Sequence, residues 1–195
     1  LDLYTGILKL LKQQYQKKQV TKMNLNNIFY KKNLTWTDDF VKANIKNIEK
    51  NYSMYPNRNR WNCDCHVVHD NDKGVYPVDY SFLRKKYEKL SEEACENYNI
   101  KNYHLSDIWY SYYKNNQYQE PHIHEGNGGL TAVHYLLYDS KSHSVTHFTD
   151  NKIKSPQIKQ GDILFFPCDI EHYVPYNKTD KPRLTVAFTI TRNLP

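Results

Sequence analysis

From residue 104 onward the chain is cut into short β-prone runs by turn-forming residues, and that punctuation constrains the fold more than any other feature. The runs are 108–113 (IWYSYY), 130–138 (LTAVHYLLY), 144–149 (SVTHFT), 162–166 (DILFF) and 184–191 (LTVAFTIT). Between them lie GNGG at 126–129, Ser155-Pro156, Gly161-Asp162, Pro167 and Lys181-Pro182. Six of the eight prolines fall at 121 or later, and none sits inside an expected central strand. Many short strands at even spacing predict a sandwich or jelly roll.

The first half reads differently. Residues 37–52 place Phe40, Val41, Ile45, Ile48 and Tyr52 at helical spacing, with Thr37 as the expected cap and Asp38 and Asp39 in the first turn. Residues 79–98 repeat the pattern, with Asp79 as cap and Phe82, Leu83, Tyr87, Leu90, Ala94 and Tyr98 as the apolar face. Residues 61–70 predict a strand between the helices. The fold class expected is α+β, mainly β: a sandwich or jelly roll with helices packed on one side. The 195 residues are assigned to one domain, with 1–36 an N-terminal extension, 37–103 helical support with one strand, and 104–195 the β core.

Charge argues against a nucleic-acid-binding body. The net +6 is matched by residues 1–37, which hold seven lysines against Asp2, so the remainder is balanced. The first methionine is Met23, so residues 1–22 read as sequence upstream of a natural start or as part of a longer protein. No apolar run approaches the roughly 18 residues of a membrane span. The opening segment, interrupted by Lys9 and Lys12, reads as an amphipathic helix and not as a signal peptide, so an intracellular, cytoplasmic location is expected. Four cysteines in a chain of this length do not make a disulfide framework. CDCHVVH at 63–69 suggests zinc, but its spacing is C-x-C and no second knuckle follows. Strand parity puts Cys63, Cys65, Val67 and His69 on one face and His66 on the other, and a structural strand is the better reading.

Histidine carries the chemistry. His122 and His124 stand in PHIH, where strand alternation lets both imidazoles face one ion while Ile123 and Glu125 face away. The glycines that follow allow a sharp turn. His172 comes just past DILFFP, and Arg183 opens the last long strand. An H-x-H on one strand, a His after a second and an Arg on a third can meet at one mouth of a jelly roll. Imidazoles there suit Fe, Zn, Cu or Ni, and a guanidinium fork suits a carboxylate. His134 is more simply a packing residue than a cavity residue, His143 and His147 read as exposed or structural, and Trp36, Trp61 and Trp109 read as core anchors.

QYQEPHIHEGNGGLTAVHYL, GDILFFPCDIEH and KPRLTVAF together resemble the iron(II)- and 2-oxoglutarate-dependent oxygenases, closest to small phage- and bacteria-type members. The resemblance covers residues 104–195 and reaches the first half only loosely. It implies a double-stranded β-helix, with Fe(II), 2-oxoglutarate and O2 serving hydroxylation of a substrate. It also implies His122 and His172 as metal ligands, Arg183 as partner of the far carboxylate of 2-oxoglutarate, and Thr185 as its assistant. A tyrosine on the preceding strand is implied as well; Tyr110, Tyr112, Tyr113 and Tyr118 compete, with Tyr112 preferred. Most of the family has H-x-D where this chain has H-x-H, so His124 is read as a variant third ligand, with Glu125 the alternative if a bulge reverses its face. The QY-x-x-PH stretch resembles prolyl hydroxylases, so the substrate expected is a peptide or a small molecule. Two rival readings remain: a three-histidine cupin-like dioxygenase without 2-oxoglutarate, and a non-catalytic jelly-roll module.

Overall fold

The computed structural model describes residues 28–55 and 63–193; the 1–22 segment and Trp61 lie outside them. Among the described residues there are nine strands and two helices. In chain order they are β1 (Tyr30–Asn33), α1 (Thr37–Met54), β2 (His66–His69), α2 (Tyr80–Asn97), β3 (Tyr103–Tyr113), β4 (Gln119–His122), β5 (Leu130–Leu137), β6 (His147–Phe148), β7 (Asp162–Pro167), β8 (His172–Val174) and β9 (Arg183–Arg192). A six-stranded antiparallel sheet runs β1-β7-β5-β9-β3-β2, and a three-stranded sheet runs β4-β8-β6. This is the jelly roll expected from the strand punctuation.

Alternation along the large sheet sorts its residues into two cores. One face carries Tyr110, Tyr112, Ala132, Phe165, Val186 and Phe188, packed with Phe40 and Ile48 of α1 and Leu83, Tyr87 and Ala94 of α2. The opposite face carries Val67, Trp109, Tyr113, Val133, Tyr135, Leu164, Phe166 and Ala187, packed with Phe148 and Val174 of the small sheet. The helices therefore support one face, and the site forms on the other.

The helices fall where periodicity puts them, with two corrections. Asp79 caps α2, accepting from the Ser81 amide at 3.0 Å. Thr37 does not cap α1; it is the first helical residue, and its hydroxyl donates to the Leu34 carbonyl at 2.8 Å. The same oxygen lies 2.9 Å from Nε2 of His134, whose Nδ1 lies 2.9 Å from the Tyr87 hydroxyl. His134 is thus a hydrogen-bonded core residue on the helix side of the sheet. Phe82, expected in the apolar face of α2, stays 39% exposed, edge-on to Trp36.

The large sheet also recruits strands that composition concealed. Tyr30–Asn33, expected inside the N-terminal extension, forms the edge strand beside β7, with Tyr30 packed edge-on against Phe165. Two lysines in this four-residue strand hide its half-buried alternation. In the CDCHVVH stretch, Val67 and Val68 are buried in β2, and Cys63 and Cys65 are buried beside it. The only three-ligand group among the described residues lies elsewhere. No described helix is long and apolar enough to cross a membrane.

Candidate active site

The small sheet brings two histidines face to face. β4 and β8 pair antiparallel with His122 directly opposite His172, and their ring centroids are 4.3 Å apart. His124 follows two residues beyond His122, its backbone amide donating to the Cys168 carbonyl at 2.9 Å. One ligand atom from each of His122, His124 and His172 lies within 4.8 Å of the other two. Ile123 and Glu125 are exposed, as strand parity predicts, and Glu125 does not belong to this group.

The glycine-rich turn holds this arrangement. Gly128 has φ +77°, and Asn127 before it is also left-handed at +50°. A Cβ on Gly129 would fall 1.9 Å from the Ile190 carbonyl oxygen, so β9 can approach only glycine there.

The imidazoles are prepared for a cation. Nδ1 of His122 lies 2.7 Å from the Glu120 carbonyl, and Nδ1 of His172 lies 2.9 Å from the Ile170 carbonyl. A carbonyl can only accept, so each Nδ1 carries the proton and each Nε2 is left as a ligand atom. Burial, with a further contribution from His122, pushes His172 down to about 3. Burial, with His172, His122 and His69 adding to it, pushes His124 further down. Burial also lowers His122. The three rings are therefore neutral, which metal ligation requires. A site of three nitrogen donors without a carboxylate fits Fe(II), Zn(II), Cu(II) or Ni(II).

Behind the histidines a narrow cavity reaches Arg183, Thr185, Tyr113, Ser111 and Gln119. Arg183 opens β9 opposite Tyr113 of β3, and Thr185 stands opposite both Ser111 and Tyr135. Arg183 is 2% exposed, and Nε and both Nη atoms have no hydrogen-bond partner. Its guanidinium carbon lies 4.6 Å from the Tyr113 ring centroid and 5.6 Å from that of Tyr135. Aromatic faces attract the cation but leave its five N–H donors unmet. The effective cost of burying an unpaired charge is several kcal/mol, which an anion meeting these donors would offset.

The tyrosine assignment needs correction. Tyr112 belongs to the helix-side core, its ring 5.6 Å from that of Tyr52. Tyr110 shares that face, and Tyr118 packs on Tyr176. Tyr113 is the member of the four on the Arg183 side, and its buried hydroxyl has no hydrogen-bond partner. It shares its face of β3 with Trp109 and Ser111, as strand alternation groups 109, 111 and 113. Tyr135 also lies on this side, on the face of β5 opposite to that of His134, and no local sequence motif marks it.

No protein-family model matches the chain, and no curated protein matches it. Solved structures do. The 2OG complex of a viral collagen prolyl hydroxylase from Paramecium Bursaria Chlorella virus-1 superposes with TM-score 0.61 at 16% identity, covering 86% of this chain and 97% of that one. The jelly roll described above is their common architecture. The chain shares the fold of this hydroxylase. A prolyl-4-hydroxylase from Pseudomonas putida gives TM-score 0.61 at 12% identity over 85% of this chain and 93% of that one. HygX from Streptomyces hygroscopicus, with nickel and 2-oxoglutarate bound, gives 0.60 at 11% over 87% and 85%. At these identities the fold is what is shared, and the chemistry is argued from this chain's own side chains.

Proposed function

We propose that the protein is a non-haem iron(II) oxygenase that couples oxidative decarboxylation of 2-oxoglutarate to hydroxylation of a second substrate. The observation that carries this reading is Arg183: a buried guanidinium without a hydrogen-bonded partner, lining the same narrow cavity as three convergent histidines. A metal-binding cupin that used no 2-oxoglutarate would have no need of such a cation.

In this reading Nε2 of His122, Nε2 of His172 and a ring nitrogen of His124 hold the metal. When bound, Fe(II) and 2-oxoglutarate supply the activation of O2 that the side chains cannot. Arg183 takes the far carboxylate of 2-oxoglutarate with its planar fork. Thr185, on the same face of β9, adds a hydroxyl. Tyr113 replaces Tyr112 as the tyrosine facing the co-substrate, and with Tyr135 it walls the guanidinium from water. The Nδ1–H contacts to Glu120 and Ile170 orient two of the rings. His124 in place of a carboxylate leaves the metal more positive, which strengthens its hold on an anionic co-substrate.

The test is a calorimetric titration of the cobalt-loaded protein with 2-oxoglutarate and, separately, with 2-oxobutyrate, which lacks the far carboxylate. The reading expects 2-oxoglutarate to bind at least roughly tenfold tighter, the scale of one charged hydrogen bond. It also expects Arg183→Ala to erase that difference. Equal affinities in the unsubstituted protein would favour the cupin-like alternative.

A further inference from the structure

On the open side of the three histidines lies a groove of about 470 Å3, lined among others by His69, Ser106, Asp107, Trp109, Ile123 and Glu125. Its lining includes two carboxylates and no Lys or Arg.

Its polar groups are arranged to accept hydrogen bonds. Nδ1 of His69 lies 3.0 Å from both carboxylate oxygens of Asp107. The carboxylate can only accept, so Nδ1 holds the proton, and in the neutral tautomer this leaves the lone pair on Nε2, at the edge turned away from Asp107. The ring is stacked on Trp109 at 23° with centroids 5.4 Å apart, which fixes its plane. Ser106 already donates its hydroxyl proton to the Thr189 carbonyl at 3.1 Å. The Asp107 side chain is 40% exposed and keeps lone pairs beyond those that meet His69.

The sheet builds this pair. His69 stands opposite Trp109 across β2 and β3, Asp107 is two residues from Trp109 on the same face, and a register shift falls between Leu105 and Asp107. Such irregularities re-aim side chains next to sites.

We infer that the groove receives a substrate bearing a cationic hydrogen-bond donor, an amine or a guanidine, with His69 as the specificity-determining residue that Asp107 holds in place. Nε2 of His69 and the free face of Asp107 accept from the donor, and Glu125 adds a second negative charge at the rim. The neighbouring C–H groups of the substrate then face His122, His124 and His172. A proline side chain offers no such donor and would leave these acceptors unmet. The inference rests on the oxygenase reading for the metal and co-substrate beside the groove.

The experiment uses the full chain loaded with cobalt and 2-oxoglutarate, titrated calorimetrically with N-acetyl-arginine amide, N-acetyl-lysine amide and N-acetyl-proline amide. The expected result is that one cationic probe binds at least roughly tenfold tighter than the proline probe, as a charge-assisted contact provides. His69→Phe, which keeps a ring against Trp109 but has no Nε2, and Asp107→Asn should each remove most of that preference. Cobalt and 2-oxoglutarate binding in both variants should stay within about twofold of the parent, well inside the scale of one lost hydrogen bond. Proline binding as tightly as the cations, no binding of either cation at millimolar concentration, or a preference that survives His69→Phe would overturn the inference. If cobalt and 2-oxoglutarate bind normally in that case, the oxygenase reading stands without it. If the unsubstituted protein binds neither, both fall together.

Discussion

His122 and His172 face one another across the β4–β8 pair, each with Nδ1 turned to the carbonyl two residues before it. Two strands of a three-stranded sheet thus fix a pair of Nε2 atoms before any ion arrives. Removing either ring should cost the site its metal. His122→Ala and His172→Ala are expected to weaken Co(II) binding by at least roughly a hundredfold, since a ligand and its oriented partner are lost together. Glu125→Gln should leave binding unchanged. Cobalt absorption titrations check this, and strong loss in Glu125→Gln would show that the strand-parity assignment is wrong.

The two neighbouring tyrosines should separate cleanly. Tyr113→Phe removes a hydroxyl from the Arg183 cavity and is expected to weaken 2-oxoglutarate by about three- to tenfold, the range of one hydrogen bond. Tyr112→Phe acts on the helix-side core and should leave that affinity within about twofold, less than one such bond is worth. Calorimetry on the two variants decides between them, and the reverse order would restore Tyr112 to the site.

His134 predicts an acid-labile core. The Thr37 hydroxyl donates to Leu34, so its oxygen accepts from Nε2–H, and Nδ1 accepts from Tyr87. Burial lowers His134 from 6.5 to about 3. Between those pH values the unfolded chain binds one more proton at this residue than the folded chain. Its contribution to stability is therefore full above pH 6.5 and falls by about 1.4 kcal/mol per pH unit as the pH drops toward 3. Urea unfolding of the parent and of His134→Gln across this range should differ in slope by about one proton. Parallel profiles would mean that His134 does not carry the effect.

Much of this was legible in the sequence because it depends on alternation and punctuation. The spacing of His122, His124 and His172, and of Arg183 and Thr185, survives any modest error in strand ends, since parity is set by the count between residues. Elements whose identity comes from their partners were harder to read. β1 is a lysine-bearing strand that exists because β7 offers it an edge, and β8 is three residues long, defined by pairing with β4 and β6. The sequence does not separate Tyr112 from Tyr113, because four tyrosines lie close together and the motif does not say which face of β3 looks inward. Thr37 has the composition of a cap, but His134 on a distant strand claims its oxygen. The His69–Asp107 pair, 38 residues apart, has no local signature at all.

Arg183 should destabilise the ligand-free fold. Its guanidinium is buried without a hydrogen-bonded partner, so Arg183→Met is expected to raise the melting temperature of the ligand-free protein, as replacement of buried charge by an apolar group often does. Added 2-oxoglutarate, with metal present, should raise the melting temperature of the parent but not of the variant. A variant that melts lower and still responds to 2-oxoglutarate would contradict this.

The most direct measurement is an anaerobic titration of the Fe(II)-loaded protein with 2-oxoglutarate, followed by the visible charge-transfer band that chelation of the metal by the 2-oxo acid produces. The account predicts a saturable band with one equivalent of iron in the parent. In Arg183→Ala it predicts the same band at a 2-oxoglutarate concentration roughly tenfold to several hundredfold higher, as loss of charged hydrogen bonds requires. In His172→Ala it predicts no band. A parent that binds iron but gives no band, or an Arg183→Ala variant that saturates at the parent's concentration, would contradict it.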